Sequence, residues 1–142
     1  MNSVHEANWQ PTPFNRTNEE KFNWNELFAF RVPGLSGLEG LRRNKLIGKS
    51  LEASVIAVGD RETIAPIIQL TDEFKELLGV SELLLDIVDK PGKTELSFSY
   101  SPVVGHRQKC ERCWHWETDV GRNSEHPTLC GRCVEAVLQF KA

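Results

Sequence analysis

The sequence predicts an α+β fold, a small helix-strand-helix-strand-strand body followed by a compact cysteine-bearing module. Three observations predict it. Apolar residues recur at helical spacing in two stretches. Between and after these lie short runs with the alternation or β-rich content of strands. All four cysteines of the chain fall in its last 33 residues.

Residues 1–22 are polar, carry Pro11 and Pro13, and read as an irregular lead-in. A first helix is expected from about Asn23, a suitable N-cap, with Trp24, Leu27, Phe28, Leu35 and Leu38 on one face. Pro33, Gly34, Gly37 and Gly40 oppose it, since proline removes a helical donor and clashes with the preceding turn. A kinked or broken helix is therefore expected. From Leu51 to Val58, Leu51, Ala53, Val55 and Ala57 alternate with Glu52, Ser54, Ile56 and Val58, as a strand with one buried face. Asp60 can cap the next helix, whose stripe is Ile64, Ile67, Ile68, Phe74, Leu77 and Leu78. Pro66 is tolerated in its first turn, and Gly79 is a natural stop. Glu82–Asp89 reads as a second strand, Pro91-Gly92 as a turn, and Leu96, Phe98 and Tyr100 as one face of a third strand. Ser101–Lys109 links this 23–105 body to a 106–142 module.

The totals limit the function classes. The chain has 142 residues, 39% hydrophobic and 26% charged, and no apolar run long enough to span a bilayer. Met1-Asn2-Ser3-Val4-His5-Glu6 has neither the basic start nor the apolar core of an export signal, so a cytoplasmic location and no membrane partner are expected. The net charge of −3 excludes a polycation that coats nucleic acid. Residues 1–105 carry 11 basic against 15 acidic side chains, and residues 106–142 carry 6 against 5. Contact with nucleic acid must then come from local geometry.

The cysteines read Cys110-Glu-Arg-Cys113, sixteen residues, then Cys130-Gly-Arg-Cys133. A Cys-x-x-Cys turn aims two sulfurs at one point, and two such turns complete the tetrahedral shell that Zn²⁺ prefers. One structural zinc ion is expected, held by ribbon-like knuckles, with Gly131 easing the second one so that backbone N–H groups turn toward the sulfurs. A thioredoxin-like dithiol would show one reactive pair, not two matched pairs. A catalytic zinc would keep an open position, which four thiolates close. His106, His115 and His126 could each replace a cysteine, although four cysteines suffice. Arg112 and Trp114 flank the second ligand. Two readings stand for them: a platform for stacking an unpaired base, or a small core in which Trp114 and Trp116 pack around the metal.

The segment Lys109–Val134, KCERCWHWETDVGRNSEHPTLCGRCV, resembles the C-terminal zinc module of bacterial isoleucyl-tRNA synthetases. Beyond the cysteines it shares Trp114-His115, Asp119-Val120-Gly121, Glu125-His126, Leu129 and Gly131-Arg132 with that family. Leu41–Val55, LRRNKLIGKSLEASV, is similar to the segment that follows the family's anticodon-binding helical bundle, and Ser3–Trp9, SVHEANW, to the stretch that precedes it. The resemblance implies a C-terminal, tRNA-binding portion of isoleucine–tRNA ligase, with isoleucine tRNA as partner and the remainder of a synthetase chain as a second one. Residues 23–105 then become a tRNA-binding junction domain. Arg112 and Trp114 match the family's anticodon-loop contacts. Arg42, Arg43, Lys45 and Lys49 form a basic cluster that could meet phosphates or simply end a helix in solvent. No HIGH-type or KMSKS-type signature is present, so no amino-acid activation is expected of this chain. The cysteine spacing also resembles the terminal finger of formamidopyrimidine-type DNA glycosylases, whose Pro-Glu nucleophile Met1-Asn2-Ser3 does not supply. A zinc-stapled module that binds only protein is the third reading.

Overall fold

The computed structural model describes residues 13–89, 94–103, 105 and 107–140. Its first element, α1, is a continuous helix over Asn18–Arg43. It starts five residues before the expected Asn23 because Thr17, not Asn23, is the cap. Glu20 N–H donates to Thr17 Oγ1 at 3.1 Å, and Thr17 N–H donates to the Glu20 carboxylate at 2.7 Å. This reciprocal box satisfies two of the free donors of the first turn. Glu19 and Glu20 in the first turn and Arg42 and Arg43 in the last suit the helix dipole.

Pro33 lies inside α1 and does not break it. Nor do the glycines act as breakers. A Cβ on Gly34 would come within 2.8 Å of Leu78 Cδ2, and one on Gly37 would overlap the Tyr100 ring. These two glycines let neighbouring elements approach the helix axis, and the buried contact outweighs their poor helix propensity. Tyr100 then donates its hydroxyl to the Pro33 carbonyl at 2.9 Å.

After a short 3₁₀ turn at Ser50–Glu52 come β1 (Ala53–Gly59), α2 (Ala65–Gln69), α3 (Thr71–Leu78), β2 (Glu82–Ile87) and β3 (Ser97–Pro102). The central strand β1 pairs in parallel with β2, Val55 opposite Leu83, and antiparallel with β3, Val55 opposite Tyr100. The parallel pair requires the helical crossover that α2 and α3 provide. Ala53, Val55 and Ala57 are fully buried, as the alternation predicts. They join Leu27, Leu38, Ile64, Ile67, Phe74 and Val80 in one core, with Phe98 and Tyr100 packed against it.

The predicted second helix is two. Leu70 leaves helical geometry at φ −126°, ψ 47°, and Thr71 Oγ1 donates to the Ile67 carbonyl at 2.8 Å. Gly79 ends α3 in the left-handed region at φ +64°. Asp60 does not cap α2, which has Ile64 at its N-cap. It closes a turn instead, accepting from Thr63 N–H at 2.8 Å and Thr63 Oγ1 at 2.9 Å, and it takes Thr94 N–H at 2.6 Å. The expected Pro91-Gly92 turn lies outside the described residues.

The cysteine segment forms a two-residue ladder, β4 (Gln108–Lys109) with β5 (Trp116–Glu117), and a helix α4 (Gly131–Gln139) absent from the sequence reading. Its tie to the larger body runs through Ser81. That buried hydroxyl donates to the Leu51 carbonyl at 2.6 Å and accepts from Trp116 N–H at 2.8 Å. Ion pairs of Arg107 with Glu82 and Arg132 with Glu76 flank it.

Candidate metal centre

The four sulfurs of Cys110, Cys113, Cys130 and Cys133 all lie within 4.8 Å of one another, and none is in a disulfide. The first knuckle follows β4. Trp114 N–H donates back to the Cys110 carbonyl at 2.9 Å, and Cys110 N–H donates to the His115 carbonyl at 2.9 Å. The chain reverses this tightly because Trp114 takes φ +66°, a value uncommon for any residue with a side chain. The second knuckle enters α4, with Cys130 at its N-cap and Cys133 in its first turn.

A zinc ion about 2.3 Å from each of four tetrahedral sulfurs separates them by about 3.8 Å. The Cys113 and Cys130 sulfurs are 3.8 Å apart. The four thiols sit in unequal surroundings. Burial drives the Cys130 thiol up to about 12 and raises Cys113. At Cys110 burial acts the same way, but backbone N–H groups of Cys113, Cys130 and Arg112 outweigh it and bring the thiol to about 6. Cys130 N–H lies 3.4 Å from the Cys110 sulfur. Four close sulfurs cannot all ionise without a cation among them, and one Zn²⁺ supplies it. Arg112 adds a donor, its Nη1 3.7 Å from the Cys133 sulfur. The residues fit one structural zinc ion in a closed shell.

Gly131 plays a different part from the expected one. Its N–H donates to the Asp119 carboxylate at 2.9 Å rather than to a sulfur, and a Cβ there would stand 2.7 Å from Asp119 Oδ2. The glycine makes room for the acid that caps α4. His115 and His126 stand outside the sulfur cluster. His115 is buried with Nε2 3.9 Å from the Glu76 carboxylate. His106 lies outside the described residues. Trp116 is half-buried in β5.

Trp114 is exposed over 53% of its surface. Two ammonium groups approach its ring: Lys49 Nζ at 4.9 Å from the centroid and Lys109 Nζ at 5.9 Å. Of the basic cluster, Lys49 is thus brought to the first knuckle. Arg42 is bound to Glu39 and to the Ser50 hydroxyl, closing the end of α1 onto the 3₁₀ turn. Arg43 and Lys45 are exposed at the helix end, Lys45 at φ +56°. Lys109 was not singled out by the sequence, although its place just before the first ligand was a usable signal.

Fold and site together define a zinc-finger module mounted on an α+β platform. Residues 107–136 match the family described as "Zinc finger found in FPG and IleRS". Most of the chain is similar to bacterial isoleucine–tRNA ligases. It is 40% identical over 111 residues to that of Bordetella avium (strain 197N), covering 78% of this chain and 11% of the relative. It is 37% identical over 114 residues to that of Exiguobacterium sibiricum, covering 80% and 12%. It is 39% identical over 117 residues to that of Lactobacillus helveticus (strain DPC 4571), covering 81% and 13%. The chain therefore matches a C-terminal segment of bacterial isoleucine–tRNA ligase and spans between 11% and 13% of these relatives' length. Among the described residues no helix is long and apolar enough to cross a membrane.

Proposed function

We propose that this chain binds isoleucine tRNA at its anticodon end, with the zinc shell holding Trp114 toward splayed anticodon-loop bases and Arg112, whose Nη1 braces the Cys133 sulfur, turning its remaining donors to the same loop. The observation that carries this reading is the exposed Trp114 indole on a metal-fixed knuckle, with two lysines beside it. An indole held in this way offers a π-face to any unpaired base, and nearby cations favour phosphate. The likeness to isoleucine–tRNA ligases supplies the RNA class. Arg43 and Lys45 at the end of α1 extend the basic surface toward the RNA backbone, while Arg42 braces the turn that carries Lys49. The cysteines act as ligands and do no chemistry on the RNA. The remainder of a synthetase chain is a second partner in this reading, and the setting is cytoplasmic.

The test is the affinity of the zinc-loaded chain for isoleucine tRNA at fixed salt. Trp114→Ala is expected to weaken binding about 5- to 150-fold, the range for loss of one stacked base. Unchanged affinity would overturn the proposal. The family description also names FPG, and the cysteine spacing resembles the terminal finger of formamidopyrimidine-type DNA glycosylases, so duplex DNA is the competing ligand. If duplex DNA displaces the tRNA at comparable concentration, that second reading prevails.

A further inference from the structure

We infer that the RNA-contacting surface is composite: Lys49 of the α+β body and Lys109 of the zinc finger clamp the backbone phosphates of the same nucleotide whose base lies on Trp114. This rests on the RNA-binding reading above and adds to it Lys109 as a phosphate-binding residue, the assignment of Lys49 to the same nucleotide, and a site shared between the two parts of the chain.

Three observations meet at this point. First, Lys49 and Trp114 are 65 positions apart in sequence, yet the ammonium stands 4.9 Å from the ring centroid. Lys109 reaches the same ring from β4 at 5.9 Å. Second, the backbone under Lys49 is fixed. The Glu52 carboxylate accepts Gly48 N–H at 2.7 Å and Lys49 N–H at 3.4 Å, and the Glu52 carbonyl accepts Val103 N–H at 2.7 Å. Third, both lysines are exposed, and neither is in an ion pair among the described residues. Glu52 is the nearby acid, and its carboxylate is turned to the backbone donors of the turn.

An exposed indole attended by two cations has the chemistry of an unpaired nucleotide's receptor. The ring takes the base, which stacks more strongly on indole than an exposed ammonium does. The displaced ammonium groups stay within a side-chain length of the base, where its two flanking phosphates lie. The lysines therefore need not be recruited from elsewhere when RNA binds. Their long stems swing from the ring to the backbone.

The experiment measures binding of the zinc-loaded 142-residue chain to an RNA hairpin carrying the anticodon stem and loop of isoleucine tRNA, across a salt series. Each phosphate contact on a single strand contributes about 0.7 to the slope of log affinity against log salt. Lys49→Gln and Lys109→Gln are each expected to lower that slope by about 0.7, and Lys49→Arg to restore it. Trp114→Ala is expected to weaken binding about 5- to 150-fold with little change in slope. Zinc content and melting temperature, measured on every variant, identify those that remain folded. If Trp114→Ala weakens binding while both lysine variants keep the full slope, the composite site is overturned and the proposed function stands. If Trp114→Ala has no effect, both fall.

Discussion

Asp60 shows at the scale of one residue how local chemistry departs from a sequence rule. An aspartate before a helix suggests a cap, yet its carboxylate collects the Thr63 and Thr94 N–H groups and the Thr63 hydroxyl. Those donors, Thr63 N–H foremost, hold it down to about 2. Its pKa is thus lower folded than unfolded, where about 3.9 is usual. The stabilisation is present above about pH 4 and is lost as the pH falls toward 2. Asp60→Asn should therefore lower the melting temperature at pH 7, and the gap to the unaltered chain should shrink at pH 2.5. An equal gap at both pH values would show that the charge is not the source. Sequence could name Asp60 as a turn former, but Thr94 is 34 positions away and no local pattern points to it.

At the scale of elements, the legible parts are those whose signal is local. The alternation of Ala53, Val55 and Ala57 gives β1, and Gly79 gives the end of α3. Continuity of α1 was not legible. Gly34 and Gly37 look like breakers until the Leu78 and Tyr100 side chains that need their space are known. The break at Leu70 was hidden for a related reason, since the apolar stripe runs through it and only backbone geometry marks it. The helix α4 does carry a signal, in Cys133, Val134 and Val137, but over nine residues that also hold a metal ligand it is too short to stand out from the knuckle pattern. Gly37→Ala gives a direct check. In an open helix it would stabilise by up to about 1 kcal/mol. Here the new methyl meets the Tyr100 ring, so a loss of about 1–3 kcal/mol in urea unfolding is expected. A gain would mean that α1 and β3 are not in contact.

For the whole molecule, the apolar core and the sulfur cluster are separate, and a few polar ties join them. The core around Leu27, Phe74 and Val55 contains no metal ligand. Stripping zinc with a chelator should therefore unfold the region from Lys109 to α4 while most helical circular dichroism, dominated by α1, survives. Loss of all helical signal on chelation would refute this separation. Acid acts in the same direction as the chelator, because protons compete for the thiolates. The cysteine spacing announced this centre without help from the fold. The Lys49 approach to Trp114 could not be announced, because the docking of two parts of the chain creates it.

The backbone at Trp114 sets the demands of folding against those of recognition. Its φ of +66° is a conformation in which glycine rests freely and a side chain costs about 1 kcal/mol. The most comfortable residue at this turn would have no ring to offer. A sequence optimised only for thermal endurance would drift toward glycine here, keep its metal and its fold, and lose its most exposed aromatic surface on the knuckle. Position 114 is thus where a gain in robustness would be hardest to distinguish from a loss of purpose, and a melting curve alone would rank the two variants in the wrong order.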